Sequence, residues 1–424
     1  MECRDAFVVG GARVPFVRSM TKYQSVTTQQ LMEASLQALV AKYHLQGKTL
    51  GDVGLGAVMI SSADWNLARE CVQSSGLHAD TPAYNVQRAC GTSLETTLQI
   101  ALKISAGQID SGIAGGVDTN SDLPIMLSRA MAQKLLRLNG AKTAMDKLKI
   151  LASIRPSDLK PQLPAVVEPR TGKSMGEHCE LMVQEWKIPR AEQDLLALAS
   201  HQNAFKAYEN GFYNDLVFPF LGQSRDGTMR GDTTLEKLAK LKPVFERSEK
   251  GTLTAGNSTP LTDGSSAVLL ASKAEAEKNQ WPLLARFVDA QTSAIDYVAG
   301  EGLLMAPTVA VARLLERNKL KFQDLELFEI HEAFAGQVLC TLKAWESAEY
   351  CKRRLGCAPL GSIDRTKLNV HGGSVALGHP FGATGTRIVA TLAKALAQKG
   401  SGKKGLISIC TGGGMGIAAL LESV

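Results

Sequence analysis

Nothing in this sequence approaches the roughly 20 consecutive apolar residues that a membrane-crossing helix needs, so a soluble protein is expected. Paired short cysteine spacings are missing too. The eight cysteines, at positions 3, 71, 90, 179, 340, 351, 357 and 410, are scattered, which argues against a zinc site. A large chain without a secretory leader is also a poor case for a disulfide framework. There is no GxxxxGK loop followed by Ser or Thr to cradle nucleotide phosphates, and the pair His331-Glu332 lacks the second histidine of a HExxH metal helix. No metal site is expected. Before the first strand-like run, Ala6-Phe7-Val8-Val9-Gly10-Gly11, stands neither a charged-then-apolar leader nor an Arg- and Ser-rich amphipathic segment. A cytoplasmic protein, or a processed form in the mitochondrial matrix, is the expectation. Charge is nearly balanced, with 47 Lys and Arg against 41 Asp and Glu for a net +6. That excludes a nucleic-acid-binding arm and suits a small anionic ligand.

What is present is a globular composition, 45% hydrophobic and 21% charged over 424 residues, long enough for two or three packed units. Two stretches repeat one order of features, which predicts an internal duplication. In the first, Asn85-Val86 leads through Cys90-Gly91-Thr92-Ser93 to a helical pattern of Leu94, Leu98, Ala101 and Leu102, then to Ile113-Ala114-Gly115-Gly116. In the second, Asn369-Val370 leads through GGSVALGHPFGATG to Ile388, Leu392 and Leu396, then to Leu406-Ile407-Ser408-Ile409-Cys410 and a glycine triplet. Strands alternating with helices predict an α/β fold. The expected units are an N-terminal half over 1–121, completed by about 250–285, an insertion over 122–249, and a C-terminal half over 286–424. In the most basic part of the insertion, Arg129 to Lys160, eight Lys and Arg (129, 134, 137, 142, 147, 149, 155 and 160) face two Asp (146 and 158). Apolar residues recur there at helical spacing: Leu127, Met131, Leu135 and Leu138, then Met145, Leu148 and Leu151. A basic amphipathic helix pair over about 126–160 is expected, either meeting a membrane or partner or lying as a solvated face against the body.

Four short blocks could carry chemistry. Cys90 sits where a strand-like run gives way to a helix, so its sulfur can lie at the positive end of the helix dipole, with Thr92 and Ser93 available to satisfy the first-turn amides. A cysteine in that place is also a common structural thiol. His379 stands among glycines in Gly378-His379-Pro380-Phe381-Gly382, as a general base or simply within a tight connection. Cys410 ends an apolar strand before Gly412-Gly413-Gly414, whose unobstructed amides suit an oxyanion or merely close packing. His331 follows Leu327-Phe328-Glu329-Ile330 at a strand end, where an α/β protein often places active groups, though a histidine bonded within a turn fits as well.

In this order and separation the four blocks resemble the thiolase family, over essentially the whole chain. The segments GGARVPFVR, GGVDTNSD, SHQNAFKAYENGF, LAKLKPVF and GTLTAGNSTPLTDGSSAV resemble it too. The resemblance implies two similar βαβαβαββ halves, each with a five-stranded mixed sheet, packed as five α-β-α-β-α layers with an inserted loop domain. It makes Cys90 the acylated nucleophile, His379 its base and Cys410 the acid/base that exchanges a proton with the acetyl methyl carbon. The amides of Cys90 and Gly412 would hold the tetrahedral oxyanion, and His379 with a water positioned from His331 would hold the enolate; the commoner thiolase pattern has Asn at that last position. For coenzyme A, a co-substrate rather than a resident cofactor, it places Arg230 near the nucleotide and Met175, Ser258, Thr259 and Phe334 along the pantetheine arm. HEAFAGQ, GHPFGATG and the stretches RLNGAKTAMDKLK and LPAVVEPRTGKSMGEH resemble the thiolase subunit of the fatty-acid β-oxidation complex. That implies medium- or long-chain 3-oxoacyl-CoA degradation, a homodimer or larger assembly, a hydratase/dehydrogenase partner subunit, and membrane or partner contact through 126–160. The alternatives are a biosynthetic acetoacetyl-CoA thiolase and a non-catalytic thiolase-like scaffold.

Overall fold

The computed structural model describes residues 3–165 and 167–424. Its strands are, in chain order, β1 (Phe7–Arg13), β2 (Val17–Arg18), β3 (Asp52–Gly56), β4 (Ala83–Val86), β5 (Ser111–Asp118), β6 (Thr262–Ala271), β7 (Ala285–Ala294), β8 (Leu327–Ile330), β9 (Lys404–Thr411) and β10 (Met415–Ser423). The N-terminal sheet runs β4-β3-β5-β6-β1, with β2 hydrogen-bonded to β6, and the C-terminal sheet runs β7-β10-β9-β8. The two meet through a short pairing of Phe7 with Arg286 and Val8 with Ala285. β3 is parallel to β4 and β5, and β8 is parallel to β9, while the remaining pairs of the two sheets are antiparallel. The halves thus repeat one topology.

Alternation along the strands decides which layer each residue joins. Ile407, Ile409, Ile417 and Ala419 face a core shared with helices Thr92–Ser105 and Thr384–Lys399, whereas Leu406, Cys410, Ala418 and Leu420 face the opposite core, beneath helices Ala306–Asn318 and Ala335–Glu346. In the first half, Val8, Val268 and Leu270 join the shared core. Val9, Ile113 and Leu269 point the other way, to helices Thr28–Lys42 and Leu67–Ser75. Five layers result, with the paired helices in the middle, and each fully buried Leu or Ile stabilises them by on the order of 1.5–3 kcal/mol. The fold is that expected from the resemblance, with one departure. The second half lacks a full counterpart of β4: its fifth strand is reduced to a single bridge between Phe328 and Leu368. The next residue, Asn369, adopts φ +45° and turns the chain into the loop that carries His379.

Between β5 and β6 the chain builds helices Arg129–Gly140, Ala144–Ala152, Met175–Glu185, Arg190–Glu209 and Leu235–Ala239. Arg13 of β1 clasps this excursion, its two terminal nitrogens each 2.6 Å from an oxygen of buried Asp226. The first two helices form a basic hairpin in which no residue is buried. Leu136 is 73% and Leu148 62% exposed, with Ile125, Met126, Leu127 and Met145 also on the surface. Lys134 ties the pair together through Ser153 O and Asp158, both at 2.5 Å. Its apolar positions are therefore not turned onto the body. Among the described residues, no helix is long and apolar enough to cross a membrane.

Candidate active site

β4 ends in a tight turn that delivers Cys90. Ala89 adopts φ +42°, a left-handed conformation that costs a non-glycine residue about 1–2 kcal/mol. The turn is closed by Gly91 N–H to Arg88 O at 2.9 Å and Thr92 N–H to Ala89 O at 3.0 Å. Gly91 leaves room for nothing larger, since an added Cβ would lie 2.8 Å from the Ile417 side chain. The hydroxyls that sequence reasoning assigned to capping do other work. Thr92 Oγ1 accepts from Arg88 N–H and donates to Ala89 O, tightening the turn, and Ser93 Oγ accepts from Thr386 N–H of the neighbouring helix.

Cys90 is half-buried as a residue, yet enough protein encloses its thiol that burial pushes it up to about 12. Two backbone donors oppose that shift, the N–H of Gly412 and that of Cys90 itself, while the carboxylates of Asp118 and Glu168 reinforce it. Cys410, buried at the end of β9, has its thiol raised well above the ordinary value by burial and then by Cys90. A second sulfur thus neighbours the first. Gly413 has φ +76°, a conformation natural to glycine, and its N–H donates to Glu168 Oε1 at 2.8 Å. Tyr297 OH donates to the other oxygen of Glu168 at 3.1 Å. A Cβ on Gly412 would stand 3.4 Å from Met175 Cε, which places Met175 against the glycine turn.

The two histidines form a second cluster. The rings of His331 and His379 lie with centroids 4.1 Å apart, and both residues are buried. His331 stands immediately beyond β8, its N–H donating to Ser408 O on β9, two residues before Cys410. His379 Nδ1 lies 2.5 Å from Thr384 Oγ1, leaving Nε2 for proton transfer. Burial, followed by the cation of Arg387, holds His379 down to about 3. Burial, then His379 and Arg387, lowers His331. Both rings are neutral at physiological pH, as a general base must be.

The segment from Asn257 to Thr262 packs along the histidine cluster. Ser258 bridges to Phe334 and Leu261 to His379, Thr259 Oγ1 donates to Ser374 O at 2.8 Å, and Thr262 Oγ1 accepts from His379 N–H at 2.7 Å. Phe334 packs edge-on against Phe245 at 5.6 Å. The structure therefore brings together Cys90, Cys410, Gly412 and Met175, and joins His331 and His379 to Ser258, Thr259 and Phe334. Arg230 is set apart on an exposed loop, its N–H donating to His201 Nδ1 at 3.2 Å.

Several supporting residues escaped the sequence. Asp118 accepts from the N–H groups of Val58, Met59 and Gly382, and burial pushes it up to about 6. Glu332 binds Ser200, Asn369 and the N–H of Val375, anchoring the loop before His379. Glu168, Ser374 and Arg387 complete the set. The GGVDTN turn and the Arg that closes GATGTR were the available signals for Asp118 and Arg387; nothing in the pattern around Glu168 separates it from a surface glutamate.

Such an arrangement can acylate one thiol, hold an oxyanion on two amides, and move a proton at a second thiol. Two family models match the chain, the thiolase N-terminal domain over residues 6–274 and the thiolase C-terminal domain over 281–423. A 3-ketoacyl-CoA thiolase of Shewanella sp. (strain W3-18-1) is 39% identical over 98% of this chain and 96% of its own. One from Pectobacterium carotovorum is 40% identical over 99% and 96%. Among solved structures, an acetyl-CoA acetyltransferase of Bacillus anthracis superposes with a TM-score of 0.82 at 29% identity, covering all of both chains. A human mitochondrial 3-ketoacyl-CoA thiolase in complex with CoA does so at 0.81 and 30%, covering 99% of this chain and 98% of that one. The two family models together span both halves, and the chain belongs to the thiolase family, an acyltransferase.

Proposed function

We propose that this enzyme is a degradative 3-oxoacyl-CoA thiolase with Cys90 as its nucleophile. The observation that carries this reading is the pairing of a thiol served by two backbone amides with a second buried thiol beside it. Cys90 sulfur attacks the C3 carbonyl carbon as its proton passes to His379, and the alkoxide is received by the amides of Cys90 and Gly412. The C2–C3 bond then breaks. The acyl group stays on Cys90, and the acetyl-CoA enolate, its oxygen facing His379 and His331, takes a proton at carbon from Cys410. An incoming CoA gives its thiol proton to the Cys410 thiolate and attacks the acyl-enzyme, releasing the shortened acyl-CoA while His379 returns its proton to Cys90. Met175, Ser258, Thr259 and Phe334 line the pantetheine arm in this reading, and Arg230 reaches the nucleotide from its exposed loop.

Medium- or long-chain substrates are part of this proposal and rest on the family resemblance; beside Tyr297, which bonds Glu168, opens a cavity of about 220 Å³ whose wall mixes apolar Leu181, Met182 and Val298 with charged Lys173 and Glu185. The exposed basic and apolar hairpin suits peripheral contact with an anionic membrane. Assembly as a homodimer, and with a hydratase/dehydrogenase subunit, is part of the same proposal and rests on the family resemblance. The biosynthetic reading has in its favour the likeness to the Bacillus anthracis acetyltransferase. CoA-dependent thiolysis of 3-oxoacyl-CoA from four to sixteen carbons separates the two. A rate that holds or rises with length is expected, activity confined to acetoacetyl-CoA would favour synthesis, and acyl-CoA binding without turnover or Cys90 labelling would leave a scaffold.

A further inference from the structure

Arg387 is a cation with almost no exposure. Among the described residues, no carboxylate lies within ion-pair distance of it, its Nε and one terminal nitrogen have no partner, and its side-chain hydrogen bond, 2.8 Å long, goes to Ser374 Oγ. Burial lowers its proton affinity, against the pull of Glu329. Burying such a group is costly, and the bond to Ser374 fixes where it points. Ser374 Oγ in turn lies 2.8 Å from His331 Nδ1, and His331 Nε2 is buried with no protein partner.

A guanidinium only donates, so Ser374 Oγ must accept from Arg387 and is left with one hydrogen to give. The acceptor at hydrogen-bond distance is His331 Nδ1. We infer that Arg387, acting through Ser374, is a positioning residue that fixes His331 as the tautomer protonated on Nε2, with that N–H presented to the enolate side of the site. This deepens the proposed reaction and rests on it for the role of His331. The relay runs one way: Arg387 N–H to Ser374 Oγ, Ser374 O–H to His331 Nδ1, and His331 Nε2–H outward to a substrate oxygen or its bridging water. An asparagine at position 331 would present its amide N–H₂ without such a relay; a histidine needs its proton placed. The same cation also discourages a second proton on either ring.

The test is the ¹⁵N spectrum of the resting enzyme labelled in its histidine rings, with the His331 signals identified by their loss in His331→Asn. A pyridine-type Nδ1 and a pyrrole-type Nε2 are expected. Ser374→Ala should mix the tautomers and lower kcat about ten-fold or more, with KM little changed, while Ser374→Thr, which keeps the hydroxyl, should retain both. A proton on Nδ1 in the native enzyme overturns the inference, as does a Ser374→Ala enzyme with unchanged spectrum and kcat. The spectrum needs no turnover, so absence of thiolysis by the native enzyme would count against the proposed function and leave the tautomer to be read on its own.

Discussion

In the proposed reaction Cys90 and His379 meet the substrate as neutral groups, because burial raises one and lowers the other. The thiolate then forms only as it attacks. Alkylation of Cys90 by iodoacetamide, followed by mass spectrometry, should accordingly climb with pH through neutrality without levelling off below about pH 10. A plateau near pH 7 would instead mean a resting thiolate–imidazolium pair. Glu168→Gln keeps a carbonyl oxygen to accept from Gly413 N–H and turns its amide N–H₂ toward the Tyr297 hydroxyl, which can accept, while removing a charge that raises the thiol, so its alkylation profile should shift to lower pH. Cys90→Ala should abolish the acyl-enzyme, and a covalent acyl adduct persisting in that variant would sink the assignment. Cys410→Ala should still acylate Cys90 from acetyl-CoA yet lose condensation; condensation at full rate would remove Cys410 from the mechanism. Cys90, His379 and Cys410 were legible in the sequence because each sits in a short glycine-bearing block. Glu168 and Ser374 were not, since what sets them apart is a contact made across long stretches of chain.

At the scale of elements, the decisive contact is between the amino ends of helices Thr92–Ser105 and Thr384–Lys399. Gly385 is pressed so closely on its neighbour that an added Cβ would stand 2.1 Å from Leu94 N, and Thr386 N–H reaches Ser93 Oγ beside it. This crossing brings the Cys90 turn to the His379 loop. Gly385→Ala, which would stabilise an ordinary helix, should here destabilise the fold by about 1–3 kcal/mol and lower kcat, both measurable by denaturant titration and steady-state assay. The helices themselves were legible from their apolar period, as were the duplication and the excursion between its parts. Their crossing was not, because a glycine within a helical pattern looks alike whether it faces solvent or another backbone. The hairpin over 126–160 was legible as basic and amphipathic, though only the structure shows its apolar side chains uncovered. Replacing it with a short linker should leave thiolysis of four-carbon substrate near native and reduce binding to anionic vesicles, read by co-sedimentation; unchanged sedimentation would remove its membrane role.

For the whole molecule, buried histidines set the response to acid. His201 and His371 are held down to about 4 and His379 to about 3, each first by burial. Below pH 6.5 the unfolded chain therefore takes up protons that the native one refuses, and each such group lowers stability by about 1.4 kcal/mol per pH unit until its own folded value is reached. Glu329 works oppositely. Burial pushes it up to about 8, so the stability it gives at low pH fades between its unfolded value and that point. Urea titrations should show stability falling steeply from pH 6.5 toward 4; a flat profile there would mean these rings are hydrated and protonated in the native state.

The order of strands also bears on how the protein is made. β1 lies between β6 and β7, and β5 has β6 as its second neighbour, so the earliest strand waits for partners that emerge some 250 residues later. The amino-terminal sheet cannot close on the ribosome as a finished domain before residue 271 has left the exit tunnel, and contacts this distant in sequence slow closure through their loop entropy. Until then β1 and β5 present open edges suited to pairing with other chains. A nascent chain of this enzyme therefore spends most of its synthesis with its first strand unpaired.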